Sequence, residues 1–301
     1  AFAQNQLNAQ RSTLTPQPSP NHVLDLDGTG AYVELPPNIF TNLTQGTVEA
    51  WVNWRTTRAG GRFFSFGQYF HAMGVGTLRL QNQPSLDFLI SNIPPEKIAE
   101  LTGTGRLMDL VNFATVDFEV ELKKWYHIAA VSGPGGMKLY CNGLLVAMNG
   151  FKGSFTSIAG QPNVLGRHNQ ASGQLRKDQG FDGQIDEFRV WKTERTEEQI
   201  RENMYAKLTG KEAGLAGLWN FEGVEPNIAK DASPGRHDGY LLSNAMGVEA
   251  HLPAPKPSTR TSKVLDLDGN GAYVELPPNI FTNLTAGTVE AWVKWRSGRG
   301  T

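Results

Sequence analysis

Hydrophobic and polar residues alternate with a period of two along much of the chain, which predicts β-strands. The segment VEAWVNW (48–54) is the clearest example, and WYHIAAV (125–131) and MKLYC (137–141) follow the same rule. In the first of these, one face carries Val48, Ala50, Val52 and Trp54, and the other carries Glu49, Trp51 and Asn53. Asn142-Gly143, between two such strands, predicts a tight hairpin turn because both positions must accept a positive φ. Many short strands joined by tight turns indicate an antiparallel sandwich or barrel.

One segment has helical periodicity. Thr196 to Gln199 has the form of a capping box, and Ile200, Met204 and Leu208 then follow at intervals of four residues. Gly210 is positioned to end the helix. The pattern predicts a single α-helix packed on the sheets as the last element of the domain.

A long repeat organises the chain. Residues 23–55 recur as residues 264–296, 241 positions later, with changes only where Thr29, Gln45 and Asn53 become Asn270, Ala286 and Lys294. We therefore expect a polar lead at 1–22, a complete domain at 23–213, a strand with a proline-rich connection at 214–263, and the truncated start of a second copy at 264–301. The truncated copy is either part of a longer tandem-repeat protein or a segment that exchanges strands with a neighbouring molecule.

Composition and charge exclude several function classes. The chain has 39% hydrophobic residues, and 28 Lys and Arg nearly balance 29 Asp and Glu, so no overall field attracts nucleic acid. No apolar run approaches the roughly 18 residues that insert into a membrane. Ala1-Phe2-Ala3 matches the small-x-small pattern left by signal peptidase, which predicts export. Cys141 is the one cysteine and lies in an apolar alternation, so we interpret it as a core residue.

Five segments, in order, resemble the laminin G-like, concanavalin A-like jelly-roll family, and specifically its bacterial LamG-like repeats. They are LDLDGTGAYVEL, GTVEAWVNW, WYHIAAVSGPGGMKLYCNG, FDGQIDEFRVWKTERTEEQI and GLWNFEG followed by KDASPGRHDGYL. The resemblance implies an all-β, antiparallel two-sheet jelly-roll sandwich with one C-terminal α-helix packed on it. It also implies a concave face, frequent calcium binding, and binding rather than catalysis.

Asp186 is the most informative carboxylate. Counting back by two from Val190 and Phe188 places it on their apolar side, where a carboxylate must be paired, hydrogen-bonded or bound to a metal. By the resemblance, Asp186 would bind calcium together with Asp27 or carbonyl groups around Gly28 and Gly30. The alternative is that Asp186 accepts backbone N–H groups.

Catalysis is disfavoured by the residues around Asp186. Sugar-cleaving enzymes with this sandwich carry a Glu-x-Asp-x-(x)-Glu strand, since retaining hydrolysis needs two carboxylates. Here Gln184 occupies the nucleophile position, and no glutamate follows in register.

Two sets of residues are candidates for ligand binding. Glu49, Trp51 and Asn53 combine an aromatic ring with polar groups on one strand face, unless Trp51 belongs to the core and Trp54 is exposed. Arg167 and His168 begin a basic loop, 167–179, which either reaches an acidic ligand or is simply solvated. We expect an exported, non-enzymatic module that binds a glycan or an extracellular protein ligand. The alternatives are a self-assembling repeat using strand exchange and a carbohydrate-cleaving enzyme.

Overall fold

The computed structural model describes residues 21–57, 60–68, 70–80, 83–158, 163–168, 180–222, 225, 227–254, 265–267, 270–276, 278, 282 and 285. The chain divides into two units, Ala1–Pro255 and Lys256–Thr301. The described residues of the second unit contain no assigned strand, so the truncated second copy stays a prediction.

The first unit is built mainly from short strands. They are β1 (Asn21–Asp27), β2 (Tyr32–Leu35), β3 (Gly46–Thr56), β4 (Gly61–Gln68), β5 (His71–Leu80), β6 (Gln83–Asn92), β7 (Asn112–Asp117), β8 (Trp125–Ser132), β9 (Met137–Cys141), β10 (Leu144–Asn149), β11 (Asn163–Leu165), β12 (Asp182–Trp191), β13 (Leu215–Trp219), β14 (Ile228–Ala229), β15 (Gly239–Leu242) and β16 (Met246–Ala250). Two short helices accompany them, α1 (Pro95–Leu101) and α2 (Glu197–Asn203). None of the described helices is long and apolar enough to span a bilayer.

The strands form two antiparallel sheets, which confirms the predicted jelly-roll sandwich. The first sheet has the order β10-β9-β8-β3-β12-β1-β16, with β13 also paired to β12. The second has the order β14-β15-β2-β11-β4-β5-β6-β7. Several neighbours are distant in the chain, such as β3 with β12 and β1 with β16, so closing the sandwich requires long-range pairings.

The core lies between the sheets and is rich in aromatic rings. On β3, the predicted face of Val48, Ala50, Val52 and Trp54 points into this core, so the alternative that Trp54 is exposed is wrong. Tilted and edge-on ring pairs connect the two sheets, for example Phe66 with Phe188 at a centroid distance of 6.2 Å. Each such pair adds about 0.5–1.5 kcal/mol to the gain from burial alone.

The sandwich extends beyond the predicted boundary at residue 213. Strand β13 pairs with β12, β15 pairs with β2, and β16 pairs with β1. Trp219 on β13 is fully buried and packs on Phe188 at a centroid distance of 5.8 Å. Residues 215–250 therefore complete both sheets of the first unit. The strand predicted within 214–263 is present as β13, but its placement outside the first domain, and the assignment of the residues up to 250 as a connection, are corrected.

Asp231 organises the turn-rich stretch between β14 and β15. Its Oδ1 accepts hydrogen bonds from the backbone N–H groups of Leu218 and Ser233, at 2.9 and 2.8 Å. Its Oδ2 accepts from Ser233 Oγ and from the backbone N–H of His237, both at 2.9 Å. A buried carboxylate with this many donors fixes the turn against β13.

The predicted capping box is present at α2. Gln199 donates its backbone N–H to Thr196 Oγ1 at 3.2 Å, and Gln199 Oε1 accepts the backbone N–H of Thr196 at 3.0 Å. The helix ends at Asn203, earlier than the stripe to Leu208 predicts. Side chains of the first sheet donate hydrogen bonds to the carbonyl groups of Asn203, Met204 and Ala206. These side-chain donors take the place of the backbone N–H groups that a further helical turn would supply. Met204 and Leu208 are buried nonetheless.

Candidate functional site

The outer face of the first sheet holds the predicted residues Glu49 and Trp51, but α2 and the residues after it cover both of them. Glu49 is 0% exposed and Trp51 is 3% exposed, and Trp51 Nε1 donates to the Met204 carbonyl at 2.8 Å. Asn53 is half-buried opposite Gln184 and Trp125. This corrects the prediction of a binding platform here, because a ligand cannot reach Glu49 or Trp51 in this conformation.

Glu49 instead belongs to a buried polar network. Its Oε1 accepts from Trp191 Nε1 at 2.8 Å and lies 3.5 Å from Arg189 Nη1. His127 Nε2 lies 3.8 Å from Glu49 Oε2, and neither ring nitrogen of His127 has a hydrogen-bond partner among the described residues. Burial lowers the pKa of His127 to about 4, helped by the positive charge of Arg189 and Arg195. This pKa keeps the buried imidazole neutral at neutral pH.

A β-bulge turns Asp186 away from the interior of the sandwich. The pairing of β12 with β3 shifts between Asp186 and Arg189, and Glu187 has a φ of 49°. Asp186 therefore lies on the outer face, not on the side of Phe188 and Val190 as counting by two predicts. It is still buried, and it accepts from Asn21 Nδ2 at 2.8 Å and from the backbone N–H of Glu187 at 2.7 Å. Burial raises its pKa to about 8.

The predicted calcium ligands are not brought together. Asp27 lies opposite Asp182, four residues from Asp186 along β12, which corresponds to about 13 Å. Gly28 and Gly30 have positive φ in the turn after β1. The two carboxylates therefore do not share a site.

The hydrogen bonds of Asp27 explain its role in this turn. Both of its oxygens accept hydrogen bonds, from the backbone N–H and Oγ1 of Thr29, the backbone N–H of Ala31 and Nδ2 of Asn244. These bonds lower its pKa, although burial opposes them. No cluster of three or more His, Cys, Asp or Glu suitable for a metal occurs in the part of the chain that the structure describes. Calcium binding stays a prediction from the resemblance.

Arg167 and His168 lie at the outer face of the second sheet. The Arg167 guanidinium carbon stacks 3.4 Å from the centroid of the Tyr32 ring, on the neighbouring strand β2. Burial, together with the positive charge of Arg62, lowers the pKa of His168 to about 3. The rest of the predicted loop, 169–179, lies outside the described residues.

Strand register adds further polar residues to this surface. Arg62 on β4 lies opposite Gly76 on β5, which lies opposite Asp87 on β6, which lies opposite Thr115 on β7. Ser65 on β4 lies opposite Gly74, which is on the same face of β5 as Gly76. We call the resulting surface the polar face, and it consists of Tyr32, Arg62, Ser65, Asp87, Thr115, Arg167 and His168.

Three residues of the polar face have buried donors that lack a hydrogen-bond partner among the described residues, at Arg62 Nη1, Ser65 Oγ and Arg167 Nε. Arg62 is 8% exposed and Ser65 is 0% exposed, yet Arg62 Nη1 and Ser65 Oγ have no hydrogen-bond partner among the described residues. The hydrogen bonds of Asp87 go instead to Thr115 Oγ1, at 2.7 Å, and to Ser85 Oγ, at 2.9 Å, and each of these hydroxyl groups is the donor. Burial lowers the pKa of Arg62 to about 10, against the attraction of Asp87. The guanidinium remains charged at neutral pH.

Sequence reasoning identified Arg167 and His168 but missed Arg62, Ser65 and Asp87. One signal was available for Asp87, because SLDFLIS alternates polar Ser85, Asp87 and Ser91 with apolar residues. No such signal existed for Arg62. The pairing shifts between Arg62 and Phe64, so RFFSF does not alternate.

Comparisons with known proteins agree with this architecture. The family model described as the concanavalin A-like lectin/glucanases superfamily matches residues 27–201. A protein from Bacteroides ovatus ATCC 8483, provisionally named a carbohydrate-binding protein, is 20% identical over 78% of this chain, with a TM-score of 0.58. This chain covers 62% of that protein.

A second solved structure has a similar fold. The native heptameric SAP-like pentraxin from Limulus polyphemus is 15% identical over 77% of this chain and 96% of its own, with a TM-score of 0.51. No curated protein sequence matches. At these identities the two structures support the fold alone, whereas the family model covers more than half of the sequence. The chain therefore belongs to the concanavalin A-like lectin/glucanases superfamily.

Proposed function

We propose that this protein is a non-catalytic, exported carbohydrate-binding module that holds its ligand on the polar face. The observation that carries the proposal is the half-buried Arg167, whose guanidinium carbon stacks 3.4 Å from the centroid of the half-buried Tyr32 ring. Sugar-binding surfaces combine such polar donors with an aromatic ring, and Tyr32 supplies a ring on the same face. Family membership is consistent with this role.

The two faces of the sandwich differ in what they offer a ligand. On the first sheet, α2 and the chain after it occupy the outer face, and Arg189 and Trp51 direct hydrogen bonds to that chain. On the second sheet, Tyr32 and Arg167 of the polar face are only half-buried, so a ligand can reach them. The second sheet is therefore the better candidate for binding.

The acidic residues near Gln184 on β12 favour a non-catalytic role. Gln184 stands where a retaining hydrolase needs its nucleophile, and amides do not serve in that role. Asp186 is buried and hydrogen-bonded, and Glu187 is paired with Arg189 at 2.8 Å. Neither acid is placed to attack or protonate a sugar.

Calorimetric titration with a panel of soluble polysaccharides tests the proposal. We expect the wild-type chain to bind at least one glycan and Arg167→Ala to weaken that binding about tenfold, because a stacked, donor-bearing guanidinium is lost. Arg195→Ala is the matched control, since Arg195 also stacks on an aromatic ring, with its guanidinium carbon 3.9 Å from the Trp191 centroid, but on the first sheet. Binding of no glycan, or equal losses in the two variants, would contradict the proposal.

The two alternatives have their own signatures. Assembly through strand exchange by residues 264–296 stays a prediction, and concentration-dependent mass in light scattering would support it. Release of reducing sugar from a bound polysaccharide would support a hydrolase instead.

A further inference from the structure

A row of paired residues crosses five neighbouring strands on the outer face of the first sheet. Asn53 on β3 lies opposite Trp125 on β8 and opposite Gln184 on β12. Gln184 lies opposite Asp25 on β1, and Asp25 lies opposite Met246 on β16. Residues directly opposite each other in antiparallel strands share one face of the sheet. We call these five residues the cross-strand row, and four strand spacings make it about 19 Å long.

The chain segment that covers the first sheet ends before it reaches this row. Trp51, two residues before Asn53 on β3, is 3% exposed. Asp186, two residues after Gln184 on β12, is 0% exposed. In the row, by contrast, Met246 is 52% exposed and the other four residues are half-buried. A ligand can therefore reach the cross-strand row from solvent, although the neighbouring pair beneath the cover is inaccessible.

Several polar atoms in the middle of the row are available to a ligand. Among the described residues, no group accepts a hydrogen bond from Trp125 Nε1, and the side-chain amide of Asn53 has no partner. Gln184 Nε2 donates to Asp25 Oδ1 at 3.1 Å, and Gln184 Oε1 has no donor in the same part of the chain. None of these available atoms is fully buried. The row thus presents donors and acceptors side by side, next to an aromatic ring.

The charged groups at the row are paired within the protein. Arg55 Nη2 lies 2.5 Å from Asp25 Oδ1, and Arg55 Nη1 lies 2.7 Å from Asp182 Oδ1. Two carboxylates therefore face one guanidinium, which leaves no positive charge for an anionic ligand. Like charges brought together across an interface are unfavourable, so the row disfavours an acidic ligand and suits a neutral one.

The repeat draws attention to the residue at the centre of this row. Residues 23–55 and 264–296 differ at three positions, and only the change from Asn53 to Lys294 alters the charge. The two copies thus differ in charge at the position that, in the first copy, lies between Trp125 and Gln184.

Resting on the proposed glycan-binding role, we propose that the cross-strand row is a second binding site, for a neutral polysaccharide chain, and that Asn53 sets this preference. The Trp125 ring packs on the apolar C–H face of one sugar unit. The amides of Asn53 and Gln184 bind sugar hydroxyl groups, which both donate and accept. A protein partner would need a wider apolar surface than Trp125 and Met246 supply.

Calorimetry with cellohexaose, xylohexaose and mannohexaose tests the site. We expect the wild type to bind at least one of these neutral probes, and Trp125→Ala to weaken that binding by about tenfold or more, because the stacking surface is lost. Trp125→Phe keeps a ring and should retain most of the affinity. Arg167→Ala, on the polar face, is the control and should leave the affinity for this probe unchanged. Equal affinities for Trp125→Ala and the wild type overturn the site.

Asn53→Lys gives the first copy the charge of the second and tests the preference. The stem of a half-buried lysine extends its ammonium group to solvent, so we expect the variant to fold. In an Arg167→Ala background, it should raise the ratio of oligogalacturonate affinity to neutral affinity by about tenfold. Asn53→Gln keeps the amide, and its neutral affinity should stay within about threefold of the wild type. An unchanged ratio in Asn53→Lys overturns the assignment of the preference to Asn53.

Thermal unfolding separates a ligand-binding role from a structural one. We expect Trp125→Ala to retain a cooperative transition, because its ring is only half-buried. If that variant instead loses the transition, Gln184→Ala decides, since it removes a half-buried amide and leaves the ring in place. Weaker neutral binding by Gln184→Ala then supports the site, and wild-type affinity overturns it.

Failure of this site and failure of the proposed function give different results. If Arg167→Ala loses the neutral probe and Trp125→Ala keeps it, the polar face holds the glycan and the row is not a site. If only acidic glycans bind, and Arg167→Ala loses them, the proposed function stands and the row is again wrong. If no glycan binds the wild type, both proposals are wrong. Loss of the neutral probe in Trp125→Ala alone supports the row.

Discussion

Arg189 and Glu187, two residues apart on β12, form a buried ion pair in which Arg189 Nη2 donates to Glu187 Oε2 at 2.8 Å. The same guanidinium donates to the carbonyl groups of Asn203 and Ala206, at 3.0 and 2.6 Å. One side chain thus binds both the β-bulge and the chain that leaves α2. Arg189 therefore joins the first sheet to the chain segment after α2 that covers it.

Arg189→Met should destabilise the protein strongly. The change leaves Glu187 and Glu49 as buried charges without their cation, and removing one partner of a buried pair costs about 3–5 kcal/mol. Urea unfolding measures the loss. Arg201→Met is the control, because Arg201 forms an exposed pair with Glu197 in α2 and should cost less than about 0.5 kcal/mol. A loss below about 1 kcal/mol for Arg189→Met would show that the ion pair does not hold the cover.

The alternation of β3 shows how far sequence could predict this fold. It correctly grouped Val48, Ala50, Val52 and Trp54 on one face, and the structure places them in the core. It could not show that Glu49 and Trp51 are also buried. Their cover comes from Met204 and its neighbours, 153 residues after Trp51, and local periodicity contains no information about such distant contacts.

The polar face was predictable only where it is local in sequence. Arg167 and His168 are adjacent in a polar loop, so composition indicated them. Arg62 lies buried on the outer side of the second sheet, next to a bulge. Gly74 and Gly76, which its side chain lies against, have the composition of a turn when considered alone. Six strands, β2, β11, β4, β5, β6 and β7, must pair in the correct register before the polar face forms.

Asp186 should make the stability of the protein fall as pH rises toward about 8. Burial raises the pKa of this carboxyl to about 8, and the charges of Glu187 and Glu222 add to the shift, although the hydrogen bond from Asn21 opposes it. The unfolded chain releases the proton near pH 4 and the folded chain near pH 8. Between these values folding takes up a proton, so the free energy of unfolding decreases with pH, by at most about 1.4 kcal/mol per pH unit.

Asp186→Asn isolates this effect in the window from about pH 6.5 to about pH 8. Below that window His127 acts in the opposite direction, since its pKa is lowered to about 4 in the folded state. We expect urea unfolding to give a flatter dependence on pH in the variant and a higher stability near pH 8. Asp109→Asn, at an exposed carboxyl, should retain the wild-type slope. An unchanged slope in Asp186→Asn would mean that Asp186 is ionised in the folded protein.

The strands after residue 213 should be essential for folding of the first unit. A fragment of residues 21–254 retains every strand of both sheets, and we expect a single cooperative transition in calorimetry with a strong near-ultraviolet signal. A fragment of residues 21–213 loses Trp219 from the aromatic core and exposes the pairing edges of β1 and β2.

The shorter fragment should therefore lack a cooperative transition and aggregate through its open edges. Trp219→Ala in the longer fragment provides the intermediate case, with a loss of about 3–5 kcal/mol for a fully buried ring. Equal melting temperatures for the two fragments would show that the domain ends at residue 213, as the sequence predicted. They would also show that the pairing of β13, β15 and β16 contributes little to the sandwich.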